Sequence, residues 1–221
     1  MIVSCKMCVD QFPALAMNES SLKIEPSLYL LGVTIHDDLC WYSHIKSLAK
    51  SASRRLGVLF RAKRLFTPTQ RLILYKAQVR PLLEYCSHIC GGAASSVLSI
   101  LDRIQRKAVR FVDSDELTCT LQSLHHRRCV ASLSLFYRYY FGRCSQELAS
   151  SMPLPRSSVR STRTCTSSNA FQVATPRVRT AAHSASFFHR TASFWNSLPS
   201  SVFPATYNLC AFKKAINKLQ F

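Results

Sequence analysis

The chain has 221 residues, with 29 Lys and Arg against 11 Asp and Glu and a formal net charge of +18. That excess favours a polyanionic partner, since each neutralised phosphate releases condensed counterions; a solvated basic surface is the plainer alternative. A hydrophobic fraction of 48% excludes a disordered chain, and five glycines with nine prolines exclude a fibrous or low-complexity one.

No apolar run reaches the roughly 18 residues of a membrane span, so no membrane partner is expected. Residues 1–6 lack a basic flank followed by a long apolar stretch. The chain is therefore expected in the nucleus or cytoplasm and not secreted. Its ten cysteines are then expected as reduced thiols.

Residues 1–42 read as strands and turns. Residues 27–35 are apolar and β-branched, His36-Asp37-Asp38 makes a turn, and Leu39-Cys40-Trp41 resumes. Ser43 is the expected N-cap of a helix over residues 44–66. Ile45, Leu48, Ala49, Ala52, Leu56, Leu59 and Phe60 share one face of it, an arc of roughly 120°. Lys46, Lys50, Arg54, Arg61 and Arg64 fall on a separate arc. Thr67-Pro68 caps a second helix that runs to about residue 89, with Pro81 kinking or breaking it near Arg80. Gly91-Gly92 separates it from a third helix over about 95–112, with Leu98, Leu101, Ile104, Ala108 and Val112 inward. Arg103, Arg106, Lys107 and Arg110 give this helix its own basic patch.

A short helix near 121–124 and a longer one over about 127–148 follow, the latter rich in aromatics from Phe136 to Phe141. Core packing is the favoured role of those rings, with base stacking the alternative. Residues 150–170 are Ser/Thr/Arg-rich and read as a linker. Residues 171–174 and 177–179 are short strand or extended candidates, 187–195 a short helix or turn, and 209–219 a helix with Leu209, Phe212, Ile216 and Leu219 on one face. The fold class expected is mainly α: a small helical bundle preceded by a short β-hairpin, with a helical and partly irregular C-terminal region. The segments are 1–42, a bundle at 43–113, an added helical segment at 114–149, the linker at 150–170 and a C-terminal region at 171–221.

No catalytic constellation emerges. Asp37-Asp38 and the trio Asp113, Asp115 and Glu116 read as turns and helix ends. Cys5 and Cys8 have the spacing of half a zinc site, but zinc needs four ligands and no matching second pair follows. Cys86, His88 and Cys90, and His125, His126 and Cys129, read as buried thiols and surface imidazoles. Neither a P-loop nor a Gly-x-Ser-x-Gly elbow occurs.

Several motifs, taken in order, carry a resemblance. They are Tyr29-Leu30-Leu31-Gly32-Val33, Trp41, His44-Ile45, Thr67-Pro68, and Leu74-Tyr75-Lys76-Ala77-Gln78-Val79-Arg80-Pro81-Leu82-Leu83-Glu84-Tyr85. Leu101-Asp102-Arg103-Ile104-Gln105-Arg106-Lys107-Ala108 follows, then Arg190-Thr191-Ala192, Phe194-Trp195-Asn196-Ser197-Leu198-Pro199 and Phe212-Lys213-Lys214. The pattern resembles the region just after the catalytic core in reverse transcriptases of LINE-type, jockey-like non-LTR retrotransposons.

The resemblance implies the end of a palm, a thumb and a downstream region. It implies a role in gripping primer–template nucleic acid, an RNA–DNA hybrid or duplex, by its backbone. Lys46, Lys50, Arg54, Arg61, Arg64, Arg103, Arg106, Lys107 and Arg110 are the residues expected at phosphates. The family's catalytic aspartates lie upstream, so Mg2+ is implied for the full-length family enzyme and no cofactor for this fragment. The missing palm and fingers are then the protein partners. The competing reading is a stand-alone helical nucleic-acid-binding or protein-interaction protein domesticated from such an element.

Overall fold

The computed structural model of the chain describes residues 16–17, 20–21, 25–155, 171–175, 177–219 and 221. Cys5, Cys8 and most of the expected linker, residues 156–170, lie outside the described residues. β1 (Ala16–Met17) and β2 (Ser20–Ser21) form a minimal antiparallel pair.

β3 (Ser27–Leu30) and β4 (Val33–His36) form the hairpin, in the register Leu30 to Val33 and Ser27 to His36. A two-residue loop suits the strand twist when both its residues have positive φ. Leu31 and Gly32 have it, at 48° and 81°. The strand expected over 27–35 is thus a strand, a turn and a second strand, and residues 39–41 do not resume it.

α1 (Tyr42–Arg61) starts two residues earlier than Ser43 capping requires; Trp41 is its N-cap and no side chain caps it. Ser43 instead shares a hydrogen bond with the His36 ring. The helix ends at Arg61, and Arg64 sits in a 3₁₀ turn, Lys63–Leu65. α2 (Pro68–Leu74) begins as expected. Gln70 N donates to Thr67 Oγ1, and Thr67 N donates to Gln70 Oε1 at 2.9 Å, a reciprocal capping box behind Pro68.

The helix is disturbed ahead of Pro81, as expected, but does not break at Arg80. Pro81 lacks an N–H and its ring crowds the carbonyl four residues back. A π-helical turn, Tyr75–Val79, widens the helix ahead of it, and α3 (Arg80–Glu84) continues. The break falls later, at Cys86, which adopts a left-handed conformation at φ 50°. α4 (Ser87–Cys90) follows. An alanine Cβ at Gly92 would lie 2.0 Å from the Ala185 carbonyl oxygen, so only glycine permits this approach of two backbones.

α5 (Ser95–Val112) matches the expected third helix. The next short helix is α6 (Asp115–Thr118), not 121–124. Ser123 caps α7 (Leu124–Tyr140), its Oγ accepting from His126 N at 3.1 Å, so the long helix starts three residues early. It ends at Tyr140, ahead of α8 (Gln146–Ala149). Val173 makes only an isolated bridge with Pro155, and residues 177–179 form no strand. α9 (Ala181–Ser184), α10 (Phe187–Asn196) and α11 (Leu209–Ile216) complete the chain. It is mainly α, with a short hairpin ahead of the helices.

Two apolar clusters hold these elements. Ile45, Leu56, Leu83, Leu101 and Phe111 join α1, α3 and α5, and Leu124 adds the start of α7. Leu133, Phe136, Tyr137, Trp195 and Phe212 join α7, α10 and α11. Each such side chain, fully buried, contributes about 1.5–3 kcal/mol. Tyr137 and Phe212 stack with centroids 4.2 Å apart, worth about 0.5–1.5 kcal/mol beyond burial. Trp195 Nε1 donates to Phe171 O at 2.6 Å, while Asn196 exchanges two 2.9 Å hydrogen bonds with the Val173 backbone. Of the α7 aromatic residues, Phe136 and Tyr137 are in this core, Tyr140 packs against it and Tyr139 meets the Phe187 and Phe188 rings.

Candidate nucleic-acid interface

At about 100° per residue, Lys46, Lys50, Arg54 and Arg61 fall within an arc of roughly 80° on α1, centred roughly 145° from the buried stripe. Ile45, Ala49, Ala52, Leu56 and Leu59 of that stripe are all buried, and the four cations are all exposed. From Lys46 to Arg61 the row spans about 22 Å, the length of roughly two-thirds of a duplex turn. Lys46 Nζ rests 5.5 Å from the Tyr42 ring centroid. Arg64 is exposed on the turn beyond the helix.

Arg103, Arg106, Lys107 and Arg110 are likewise exposed, on the side of α5 opposite Leu101, Ile104 and Ala108. The C-terminal ends of α1 and α5 meet. The Phe60 and Phe111 ring centroids lie 5.3 Å apart, and Lys63 Nζ donates to Asp113 Oδ2 at 2.9 Å. That hydrogen bond, and the Lys63 charge, hold the Asp113 carboxyl below its usual range. Arg71 adds a hydrogen bond from Nη1 to Val112 O at 3.3 Å. The joint brings Arg61, Arg64 and Arg110, each within three residues of it, to one end of the bundle.

The ion pairs among the described residues engage Lys63, Arg71, Arg80, Arg127 and Arg128. None of the nine expected cations is among them. They have no acidic partner in the described structure and are exposed to solvent. An exposed cation spends little on binding a phosphate because it gives up no existing pair.

The acidic candidates serve the backbone. Asp38 N donates to Asp37 Oδ1 and Cys40 N donates to Asp38 Oδ1, so the pair shapes the turn after β4. Asp115 and Glu116 open α6, where negative charge suits the helix N-terminus. Among the described residues no group of three or more His, Cys, Asp or Glu could hold a metal ion. Burial pushes the Cys90 and Cys129 thiols up, as expected of packed, unreactive cysteines. No helix among the described residues is long and apolar enough to cross a membrane.

One feature has no counterpart in the sequence pattern. Glu84 accepts from Arg127 through both oxygens, with Nη2 to Oε2 at 2.9 Å, and lies 3.7 Å from Arg80. Only the Arg80/Glu84 spacing is visible along the chain. No protein-family model, curated protein or solved structure matches this chain.

Proposed function

We propose that this chain is the thumb and downstream region of a LINE-type RNA-directed DNA polymerase, gripping primer–template nucleic acid by its phosphates and carrying no catalytic centre of its own. The observation that carries the proposal is the nine exposed, acid-free cations, eight on the outward sides of α1 and α5 and Arg64 on the turn just beyond α1. Cations at three- to four-residue spacing on one helix face track a phosphate row and read no base edge. The hairpin supports a missing protein partner. Tyr29 is 74% exposed and Leu31 82%, beside exposed Leu28 and Leu30, an apolar strip of the kind another protein surface covers. In this reading the palm and fingers supply that surface.

The test is a fluorescence-anisotropy titration of an RNA–DNA hybrid against its two single strands over a salt series. The hybrid should bind most tightly, independently of sequence and with steep salt dependence. Absence of binding at low salt, or a preference for either single strand, would refute the role.

A further inference from the structure

A cleft of about 580 Å³ is walled by α3, α4, α7 and α11. Four Lys and Arg side chains line it, against one carboxylate. Glu84 and Arg127 neutralise each other there through their two-point hydrogen bond. Lys213 and Lys214 on α11 are exposed and make no ion pair among the described residues. The second, independent observation is Arg128. It is only 6% exposed, its Nη2 lies 3.5 Å from Asp102 Oδ1, and its Nη1 hydrogen-bonds to nothing. A buried guanidinium N–H without an acceptor is an unmet donor that a water or an anion oxygen satisfies. Asn217 adds a donor. It also lines the cleft, and its Oδ1 accepts from Gln122 Nε2 at 3.0 Å.

We infer that this cleft binds a phosphate monoester, with Lys213 and Lys214 balancing its charge and Arg128 and Asn217 donating hydrogen bonds to its oxygens. A monoester carries nearly two negative charges at neutral pH, which suits two free lysines backed by an arginine better than a carboxylate does. The volume suits a nucleotide-sized ligand. The phosphate comes either from a free organic phosphate or from the 5′ end of a nucleic-acid strand. No residue of the cleft belongs to the α1 and α5 faces, so the inference stands or falls apart from the function proposed above.

Isothermal titration calorimetry on the full chain, at fixed ionic strength, tests it with four probes: inorganic phosphate, AMP, and one short oligonucleotide with a 5′-phosphate or a 5′-hydroxyl. Replacing Lys213→Gln and Lys214→Gln together should weaken phosphate and AMP binding about 10-fold or more. Both lysines are exposed, so thermal unfolding of that variant should match wild type; Arg128→Gln should give a similar loss if it folds. Replacing Lys50, Arg54 and Arg61 by Gln should leave AMP binding unchanged. A preference for the 5′-phosphorylated strand that vanishes in the lysine variant assigns the strand end. AMP binding that depends on the lysines, without such a preference, assigns a free organic phosphate. If no probe binds, or if binding survives the lysine variant, the inference is overturned.

Discussion

Gly57 sits in the interior of α1, amid the cationic arc. Glycine there costs about 0.5–1 kcal/mol relative to alanine, through backbone entropy. The fold offers no reason for it: a Cβ at this position would meet nothing within 4 Å, and its φ is an ordinary helical one. A phosphate backbone lying against the helix supplies a reason, because a missing side chain lets it approach between Lys50, Arg54 and Arg61. Gly57→Ala should therefore raise stability by about 0.5–1 kcal/mol, or roughly 1–4 °C in Tm for a chain of this size. Gly57→Leu should also be at least as stable as wild type, yet weaken RNA–DNA hybrid binding several-fold. Urea unfolding and anisotropy measure the two effects separately. If Gly57→Ala destabilises, the glycine has an internal role and the reasoning fails. If Gly57→Leu binds like wild type, nothing approaches the helix closely there.

Three further outcomes follow from individual residues. Tyr75 is fully buried, its hydroxyl has no partner, and burial pushes its phenol up to about 12, so Tyr75→Phe should stabilise the chain by about 1 kcal/mol in urea unfolding; a loss of stability would mean the hydroxyl is satisfied. His44 is buried, its Nδ1 accepts from Thr34 N at 3.4 Å, and burial lowers its pKa from 6.5. The unfolded chain therefore binds a proton that the folded chain refuses, so stability should fall as pH drops below about 6.5. His44→Gln should flatten that fall in a Tm–pH series, with His88, lowered chiefly by burial, supplying a remainder. The isolated chain should extend no primer with magnesium and all four nucleotides, and extension abolished by Asp37→Asn or Asp38→Asn would contradict the turn role of that pair.

The parts of the fold written in local pattern were legible. Ile45, Ala49, Ala52, Leu56 and Leu59 repeat at helical spacing and are buried together, and Thr67-Pro68 carries a complete N-terminal signal. The hairpin turn was hidden because Leu31, an apolar residue, occupies a positive-φ position normally given to Asn, Asp or Gly. The end of the second helix was hidden too. Its break at Cys86 goes with Tyr85, whose hydroxyl donates to Leu31 O and whose ring lies against Gly32, a contact across 54 residues. Pro81 announced a disturbance but not its form, since a π turn depends on how Tyr75 and Val79 pack. The exposure of the nine cations followed from amphipathicity. The cleft did not, because Arg128 meets Lys213 and Lys214 only when α7 and α11 pack together.

The salt dependence of hybrid binding tests the central claim most directly. Replacing Lys50, Arg54 and Arg61 together by Gln removes up to three phosphate contacts and leaves helix propensity nearly unchanged. The slope of log affinity against log salt should then flatten by up to about 3 units, close to one per lost contact, with circular dichroism unaltered. A folded triple variant that binds the hybrid with the wild-type slope would show that the α1 face is only solvated surface and would contradict the account.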